Sequence, residues 1–199
     1  CRTLPQTPRH TRGLAVRIIA GQWRGRKLRA PEGDTTRPTA DRTRETLFSM
    51  LTSRLGSFEG LVVADLFAGS GALGLEALSR GAEKAIFVEQ DAAALRALRD
   101  NIASLRAQQT CDVRATSVLS LGRLAPGQRA PDVLLLDPPY DSGAGAVALD
   151  KLRRLGWIAP GAWLSIETSR GEKLDVKGFE VDATRDSGKA RLHLLRLAE

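Results

Sequence analysis

Two cysteines and two histidines are all that 199 residues contain of the commonest metal and disulfide ligands. Cys1 and Cys111 argue against a disulfide framework and suit a reducing cytosol. His10 and His193 stand apart from any Cys/His cluster, so no structural zinc site, and no metal at all, is expected. No apolar run approaches the ~20 residues of a membrane-spanning helix. The opening Cys1-Arg2-Thr3-Leu4-Pro5 lacks the apolar stretch of a signal peptide. It also lacks an initiator methionine, so the encoded chain is expected to begin upstream or to have been trimmed. A cytoplasmic monomer without membrane contact is the expectation.

Net charge is missing from most of the chain and concentrated at one end. Residues 1–60 hold 12 Lys or Arg against 5 Asp or Glu, whereas residues 61–199 balance at 18 of each. A basic arm on a neutral body points to phosphate contact and hence to nucleic acid. A solvated, arginine-rich tail is the plainer alternative. Composition otherwise describes one α/β domain, with 42% hydrophobic residues.

Residues 1–15 are polar, carry two prolines and are expected to be disordered. Residues 16–60 read as a basic extension. Val16 to Ile19 and Gly21 to Leu28 suggest a short β-hairpin with a glycine turn. Trp23, among Arg24, Arg26 and Lys27, would either stack on a base or staple the hairpin to the core. Pro38 and Thr39 open a helix through Leu55, capped by Thr36 or Thr39, with Asp41 in its first turn. Leu47, Phe48, Leu51 and Leu55 form its core stripe. Arg42 and Arg44 read as solvated or paired with Asp41 and Glu45.

From residue 61 to 199 the pattern is that of a single domain of alternating strands and helices. Strands are predicted at Leu61–Leu66, Lys84–Glu89, Asp112–Ala115, Asp132–Asp137 and Ala162–Glu167. Helices are predicted at Leu73–Arg80, Asp91–Leu105, Ser117–Leu124 (weak) and Ala144–Leu155. Phe179–Ala183 and Leu192–Leu197 should close the sheet as an antiparallel pair. Successive β-α units imply a mostly parallel sheet with helices on both faces.

Two motifs fall at carboxyl ends of predicted strands, where open α/β sheets bind ligands. In Asp65-Leu66-Phe67-Ala68-Gly69-Ser70-Gly71-Ala72-Leu73-Gly74, the Gly69-x-Gly71-x-x-Gly74 spacing follows a strand and opens a helix. Its glycines admit close backbone approach, and the helix start offers free N–H groups. Glu89, ending the next strand, is placed to accept ribose hydroxyls. Asp65 puts a negative charge beside the loop, awkward for a pyrophosphate but suited to the cationic amino-acid end of S-adenosylmethionine. The second motif, Asp137-Pro138-Pro139-Tyr140, follows the apolar run Val133–Leu136. Proline cannot extend the ladder, so the chain turns out stiffly.

That turn sets two acceptors, the Asp137 carboxylate and the Pro138 carbonyl, beside the Tyr140 ring. This arrangement suits a planar base with an exocyclic amine. The amine is a poor nucleophile because its lone pair is delocalised into the ring. Accepting both N–H bonds would make the nitrogen more tetrahedral, with Tyr140 stacking on a flipped base. Positioning and electrostatics, without a covalent intermediate, would do the chemistry. Asp137 would take the departing proton. Methylation of a cytosine carbon would instead need a thiolate, and nothing near Cys111 activates one.

The chain resembles the bacterial 16S rRNA guanine-N2 methyltransferases of the RsmD type, from about Arg17 to the C terminus. The likeness rests on Arg17-Ile18-Ile19-Ala20-Gly21-Gln22-Trp23-Arg24-Gly25-Arg26-Lys27-Leu28 and on Arg37-Pro38-Thr39-Ala40-Asp41-Arg42-Thr43-Arg44-Glu45-Thr46-Leu47-Phe48. It continues through Asp65–Gly74, Leu75-Glu76-Ala77-Leu78-Ser79-Arg80-Gly81 and Asp137-Pro138-Pro139-Tyr140. Many amino-methyltransferases share the last motif; the two N-terminal blocks narrow the choice. The resemblance implies a Rossmann-like class I fold with a seven-stranded sheet and a small N-terminal hairpin and helix. It implies methyl transfer from S-adenosylmethionine, leaving S-adenosylhomocysteine, to N2 of one guanine in 16S rRNA within an assembling small subunit. Asp65, Phe67, Ala68, Gly69, Ser70, Gly71, Gly74, Glu89, Gln90 and Ser117 are then the candidate cofactor residues. Ser117 stands where many methyltransferases have a carboxylate for the adenine amine. Asp137, Pro138, Pro139 and Tyr140 would hold the guanine. Arg17, Trp23, Arg24, Arg26, Lys27, Arg37 and Arg42 would meet the RNA. The rival readings are a DNA adenine-N6 or cytosine-N4 methyltransferase and a non-catalytic RNA-assembly factor.

Overall fold

Strands buried on both faces need helices on both faces, and that requirement organises this chain. The computed structural model describes residues 16–31 and 38–198, with the side chains of Pro38 and Thr39 also left aside. The disorder expected for residues 1–15, the Thr36 and Thr39 caps and the RNA contact assigned to Arg37 lie outside the described residues.

A two-stranded ribbon, β1 (Val16–Arg17) and β2 (Lys27–Leu28), comes first and leads to helix α1 (Pro38–Leu55). The main body runs β3 (Val62–Leu66), α2 (Ala72–Ser79), β4 (Lys84–Glu89), α3 (Ala92–Ser104), β5 (Cys111–Ala115), β6 (Val133–Leu136), α4 (Ala144–Arg154), β7 (Trp163–Ser169), β8 (Phe179–Ser187) and β9 (Ala190–Leu197). The seven-stranded sheet has the order β5-β4-β3-β6-β7-β9-β8. Its first five strands are parallel, and β9 inserts antiparallel to both β7 and β8.

Alternation along the central strands divides the core in two. Val63, Phe87 and Leu135 face α1, α2 and α3, packing with Leu47, Phe48, Leu51, Leu75, Leu78 and Leu98. Val62, Ala64, Ile86, Leu134 and Leu136 face α4 and the fully buried Trp157. The expected α1 stripe is therefore in place, with Leu55 half-buried at its end.

Two elements and one side chain depart from the sequence pattern. The weak helix expected over Ser117–Leu124 is a single 3-10 turn, Val118–Ser120. The Gly122 carbonyl accepts the Trp157 indole N–H at 2.9 Å, which diverts the backbone from a continuing helix. The terminal hairpin is longer than expected because Gly188 and Lys189 turn it tightly, and a bulge between Val181 and Ala183 absorbs a register shift. Arg44, read as solvated or paired with Asp41 and Glu45, does pair with Asp41 but is only 5% exposed. It reaches Asp41 at 2.9 Å and also donates to the Arg17 carbonyl.

Arg44 is buried because α2 holds out a carboxylate there. Glu76 is fully buried and binds the ribbon through its backbone: Ile19 N–H at 2.8 Å on one oxygen and Ala20 N–H at 3.0 Å on the other. Arg80 pairs with Glu76 at 2.9 Å, and Arg44 lies 3.8 Å away. Beside it, Ser79 Oγ donates to Ala20 O and accepts from Trp23 N–H. The ribbon comes so near that a Cβ on Gly21 would lie 1.8 Å from the Ser79 carbonyl oxygen. Asn101 of α3 completes the seam by bonding both Arg29 N–H and Arg29 O, at 2.7 and 2.9 Å. Removing one partner of a buried ionic cluster leaves the rest desolvated and unpaired. Glu76→Ala is expected to cost about 3–5 kcal/mol of stability in denaturant unfolding; a loss under about 1 kcal/mol would show that the seam is not structural.

Candidate active site

The strand order brings the carboxyl ends of β3, β6 and β7 side by side, and a cavity of about 600 Å³ opens there. This is a usual size for a small-molecule site. The glycine loop after β3 forms its floor through Phe67, Ala68, Gly69 and Ser70. Asp137 and Tyr140 after β6, and Glu167 in β7, form one wall. Thr43, Arg44 and Leu47 of α1, with the β8–β9 turn Ser187–Ala190, form the other. A 2.9 Å hydroxyl bond between Thr43 and Ser187 ties those two elements together. The two sequence motifs thus share one enclosure, with Tyr140 46% exposed at its wall.

The loop is held under strain. Phe67 sits at φ 66°, a left-handed conformation that costs a non-glycine residue on the order of 1–3 kcal/mol. Ala68 N–H bonds to Val88 O at 3.0 Å, and Gly69 N–H bonds to Glu89 Oε2 at 2.7 Å. Asn101 reaches over to hold Ser70 O at 2.9 Å. The glycines divide by role. Gly69, at φ 56°, has open space where its Cβ would be, and of the three loop glycines it is the one that lines the cavity. Gly71 and Gly74 serve packing: added Cβ atoms would lie 2.3 Å from Leu98 and 2.4 Å from Phe87. The N-cap residue of α2 is Gly71, which has no side chain to cap it; Asp65 takes the Gly74 N–H of that first turn.

Asp65 is 1% exposed. One of its oxygens accepts Gly74 N–H at 2.8 Å, and Oδ1 is buried without a partner. Burial, followed by the nearby Asp137 and Glu89 charges, raises its pKa well above the carboxylate range, against the lowering by Gly74 N–H. A lone buried acceptor at a cavity wall asks for a donor or a cation. Along β6, Asp137 N–H makes a long 3.5 Å contact to Leu66 O, setting its side chain next to the loop. The Tyr140 hydroxyl donates to Glu167 Oε1. Partial burial, then that bond and the Glu167 and Asp137 charges, push the phenol above its usual range. Burial likewise raises Glu167, partly offset by the Tyr140 bond. The turn itself is braced from β7 and beyond: Ser169 donates to Asp141 Oδ1 at 2.9 Å, and Asp141 N–H reaches Glu172 at 3.1 Å. Pro138 is buried against Gly145, and Pro139 O accepts Ser142 Oγ–H at 2.6 Å.

Several predicted residues lie off the cavity. Glu89 is engaged with the loop backbone on one oxygen and with Gln90 and Asp91 N–H, both at 2.8 Å, on the other. Ser117 caps its own turn, accepting Leu119 N–H at 3.1 Å. Glu89, Gln90 and Ser117 sit farther along the same sheet edge, at and beyond the ends of β4 and β5. The basic ribbon loop is also displaced. It docks on Ser79 and Ser104, the last residues of α2 and α3, whereas the cavity opens at the first turn of α2. That is roughly 10 Å along the α2 axis. Arg17, Arg24, Arg26, Lys27 and Arg42 are exposed, and Arg26 bonds to Ser104 O at 2.7 Å. The Trp23 ring packs on the core, which favours the staple over base stacking. Cys111 is half-buried, and burial pushes its thiol up to about 11, far from a reactive thiolate. Among the described residues no group of three or more His, Cys, Asp or Glu is placed to hold a metal. None of their helices is long and apolar enough to cross a membrane.

Sequence reading missed Glu167, Thr43, Arg44 and the Ser187–Ala190 turn. Glu167 had a faint signal, an acid at the carboxyl end of an otherwise apolar strand. The others reach the cavity only through long-range packing.

The parallel sheet closed by an inserted antiparallel strand, with a glycine loop and an Asp-Pro-Pro-Tyr turn at one edge, defines a class I methyltransferase. Magnesium protoporphyrin IX methyltransferase from Synechocystis, solved with S-adenosylmethionine bound, shares that fold alone: TM-score 0.62 at 14% identity, covering 83% of this chain and 87% of that one. The chain belongs to the RsmD-type methyltransferase family. The family model described as conserved hypothetical protein 95 matches residues 16–196. Ribosomal RNA small subunit methyltransferase D of Escherichia coli K12 is 40% identical over 161 residues, 81% of this chain and 78% of that protein. Its Haemophilus influenzae namesake is 39% identical over 160 residues, 80% of this chain and 81% of the relative. The solved yhhF protein of Escherichia coli superposes with a TM-score of 0.77 at 33% identity, covering 92% and 98% of the two chains.

Asp65 yields a pH signature. Its folded pKa lies above its unfolded value, so the folded protein binds the extra proton in between. In the ligand-free protein its contribution is most favourable below the unfolded pKa and declines as pH rises toward the folded one. Asp65→Asn keeps the acceptor for Gly74 N–H but removes that decline. The difference in Tm, variant minus wild type, should grow by a few degrees (roughly 2–6 °C) between acidic and neutral pH. A difference that stays flat with pH would mean that Asp65 is not strained by burial.

Proposed function

We propose that this protein transfers a methyl group from S-adenosylmethionine to the exocyclic N2 of a guanine in the RNA of the small ribosomal subunit. The observation that carries the reading is the single enclosure shared by the Asp65–Ser70 loop and the Asp137–Tyr140 turn. The ribosomal RNA substrate follows the named relatives, and N2 of guanine follows the RsmD-type resemblance.

The residues present fit the cofactor. Asp65 Oδ1, buried and unpartnered, suits the ammonium of its amino-acid end, and the open face of Gly69 leaves room beside the loop backbone. Phe67, Ala68, Ser70 and the start of α2 would complete that half, with Gly71 and Gly74 keeping helix and strand close enough to shape it. Glu89, Gln90 and Ser117 would take the ribose and adenine; Glu89 already bonds Gly69 N–H through one oxygen, so it would tie loop and sugar together. When bound, S-adenosylmethionine supplies a methyl group made electrophilic by the adjacent sulfonium.

The chain's own residues handle the amine. Asp137 and the Pro138 carbonyl accept its two N–H bonds and draw the nitrogen lone pair out of conjugation. The Tyr140 ring offers a stacking face, and its hydroxyl, fastened to Glu167, keeps the ring from swinging away. Asp137 then takes the proton that the amine must lose. Arg17, Arg24, Arg26, Lys27 and Arg42 supply phosphate contacts outside the cavity.

Asp137→Ala should lower methyl transfer to small-subunit particles by roughly 100-fold or more. Its affinity for S-adenosylhomocysteine, read by calorimetry, should stay within about threefold of wild type, since about 1.4 kcal/mol separates each factor of ten. A near-normal transfer rate would remove Asp137 from the chemistry. Parallel labelling of duplex DNA and naked rRNA tests the substrate class; preferential labelling of DNA would refute the rRNA reading.

The ribbon is tested separately. Arg24→Glu with Lys27→Glu, leaving Arg26 on its Ser104 carbonyl, should weaken RNA binding and make the plot of log affinity against log salt shallower by about one to two. Equal affinity and slope would exclude the ribbon from the RNA contact.

A further inference from the structure

Nothing in the Asp-Pro-Pro-Tyr turn distinguishes one base amine from another, since guanine, adenine and cytosine all present an –NH2 to two acceptors. They differ in the ring atom beside it. In guanine the amine is flanked by N1–H, a donor. In adenine it is flanked by N1, and in cytosine by N3, each a bare lone pair. A site that reads guanine therefore needs one more acceptor next to the pair that holds the amine.

The sheet register places such an acceptor. Leu136 of β6 pairs with Ile166 of β7, and both point into the α4 side of the core. The next residues, Asp137 just past the end of β6 and Glu167 within β7, follow that last pair on chains that run about 4.8 Å apart. Both line the cavity. Glu167 Oε1 is fixed by the Tyr140 hydroxyl, which orients the carboxylate, and Oε2 has no partner among the described residues. The group is half-buried, so a carboxylate there is poorly served by water and gains from a donor.

We propose that Glu167 is the specificity residue of this site, its carboxylate accepting N1–H of the target guanine beside the amine held by Asp137. This rests on the function proposed above. Adenine or cytosine in the same pose would set a ring lone pair against the carboxylate, leaving two acceptors facing each other without a proton. Tyr140 thereby stacks on the base and also aims the group that identifies it.

The test substitutes one base. Small-subunit particles are reconstituted with guanine or with 2-aminopurine at the methylated position, located beforehand by mass mapping. 2-Aminopurine keeps the 2-amine but carries a lone pair at N1. Wild-type enzyme should prefer guanine by roughly 100-fold or more in kcat/KM. Glu167→Gln, whose amide can still accept from Tyr140 while donating to N1, should shrink that preference at least roughly tenfold or invert it. Glu167→Ala should also lose the preference, without a gain on 2-aminopurine, and S-adenosylhomocysteine affinity verifies that each variant is folded. A merely structural role for Glu167 would lower both substrates together and leave the ratio unmoved, and that result overturns the proposal. If wild-type enzyme makes guanine N2 product yet accepts 2-aminopurine equally, the proposal fails while the function stands. If no guanine N2 product forms at all, both fail.

Discussion

A fully buried carboxylate, Glu76, is the constraint on which the rest of the architecture depends. A charge inside a protein must be paired and hydrogen-bonded or it destabilises the fold. Glu76 is satisfied by Ile19 and Ala20 N–H, by Arg80 and by the nearby Arg44. Its partners come from the ribbon, from its own helix and from α1, so three separate stretches of chain converge on it. Arg44 and its neighbours Thr43 and Leu47 then form a wall of the cavity. Packing of the N-terminal extension and construction of the site are thus one event.

A second buried polar side chain extends the coupling. Asn101 bonds both backbone groups of Arg29 and the carbonyl of Ser70. Its amide spans the ribbon and the strained cofactor loop. The left-handed Phe67 persists because Ala68, Gly69 and Ser70 are each held by an outside partner. Rigidity at the loop comes from several directions, as a site that works by positioning requires. The cavity itself gathers acid groups: Asp65, Asp137 and Glu167 lie toward the carboxyl ends of three neighbouring strands or just past them. Burial holds Asp65 and Glu167 toward their protonated forms, and a cationic ligand or base N–H donors would relieve that cost.

Most of the scaffold was legible because it is written in local periodicity. β4 falls on Lys84–Glu89 as predicted, α1 on Pro38–Leu55, and α3, predicted from Asp91, starts at Ala92 with Asp91 as its cap. The helix expected at Ser117–Leu124 failed because a distant indole, Trp157, claims the Gly122 carbonyl. Trp23 was ambiguous between core and base; it is partly buried, with its ring packed against the core. The pairing of Arg44 with Asp41, three positions away, was legible, but its burial was not, because Glu76 lies 32 positions away in the sequence.

The sequence by itself determined the alternating strands and helices, the glycine loop, the rigid Asp-Pro-Pro-Tyr turn and the basic character of the first 60 residues. Each depends on a residue and its near neighbours: backbone freedom at glycine, a locked φ at proline, apolar spacing along one strand or helix. Tertiary structure alone decided which loop glycine faces the cavity, which acids meet there, and that the ribbon loop carrying Arg24 and Arg26 docks at the far ends of α2 and α3. Those outcomes follow from strand order and register, set by contacts between segments far apart in the chain. Glu167 became Asp137's neighbour only when β7 paired with β6.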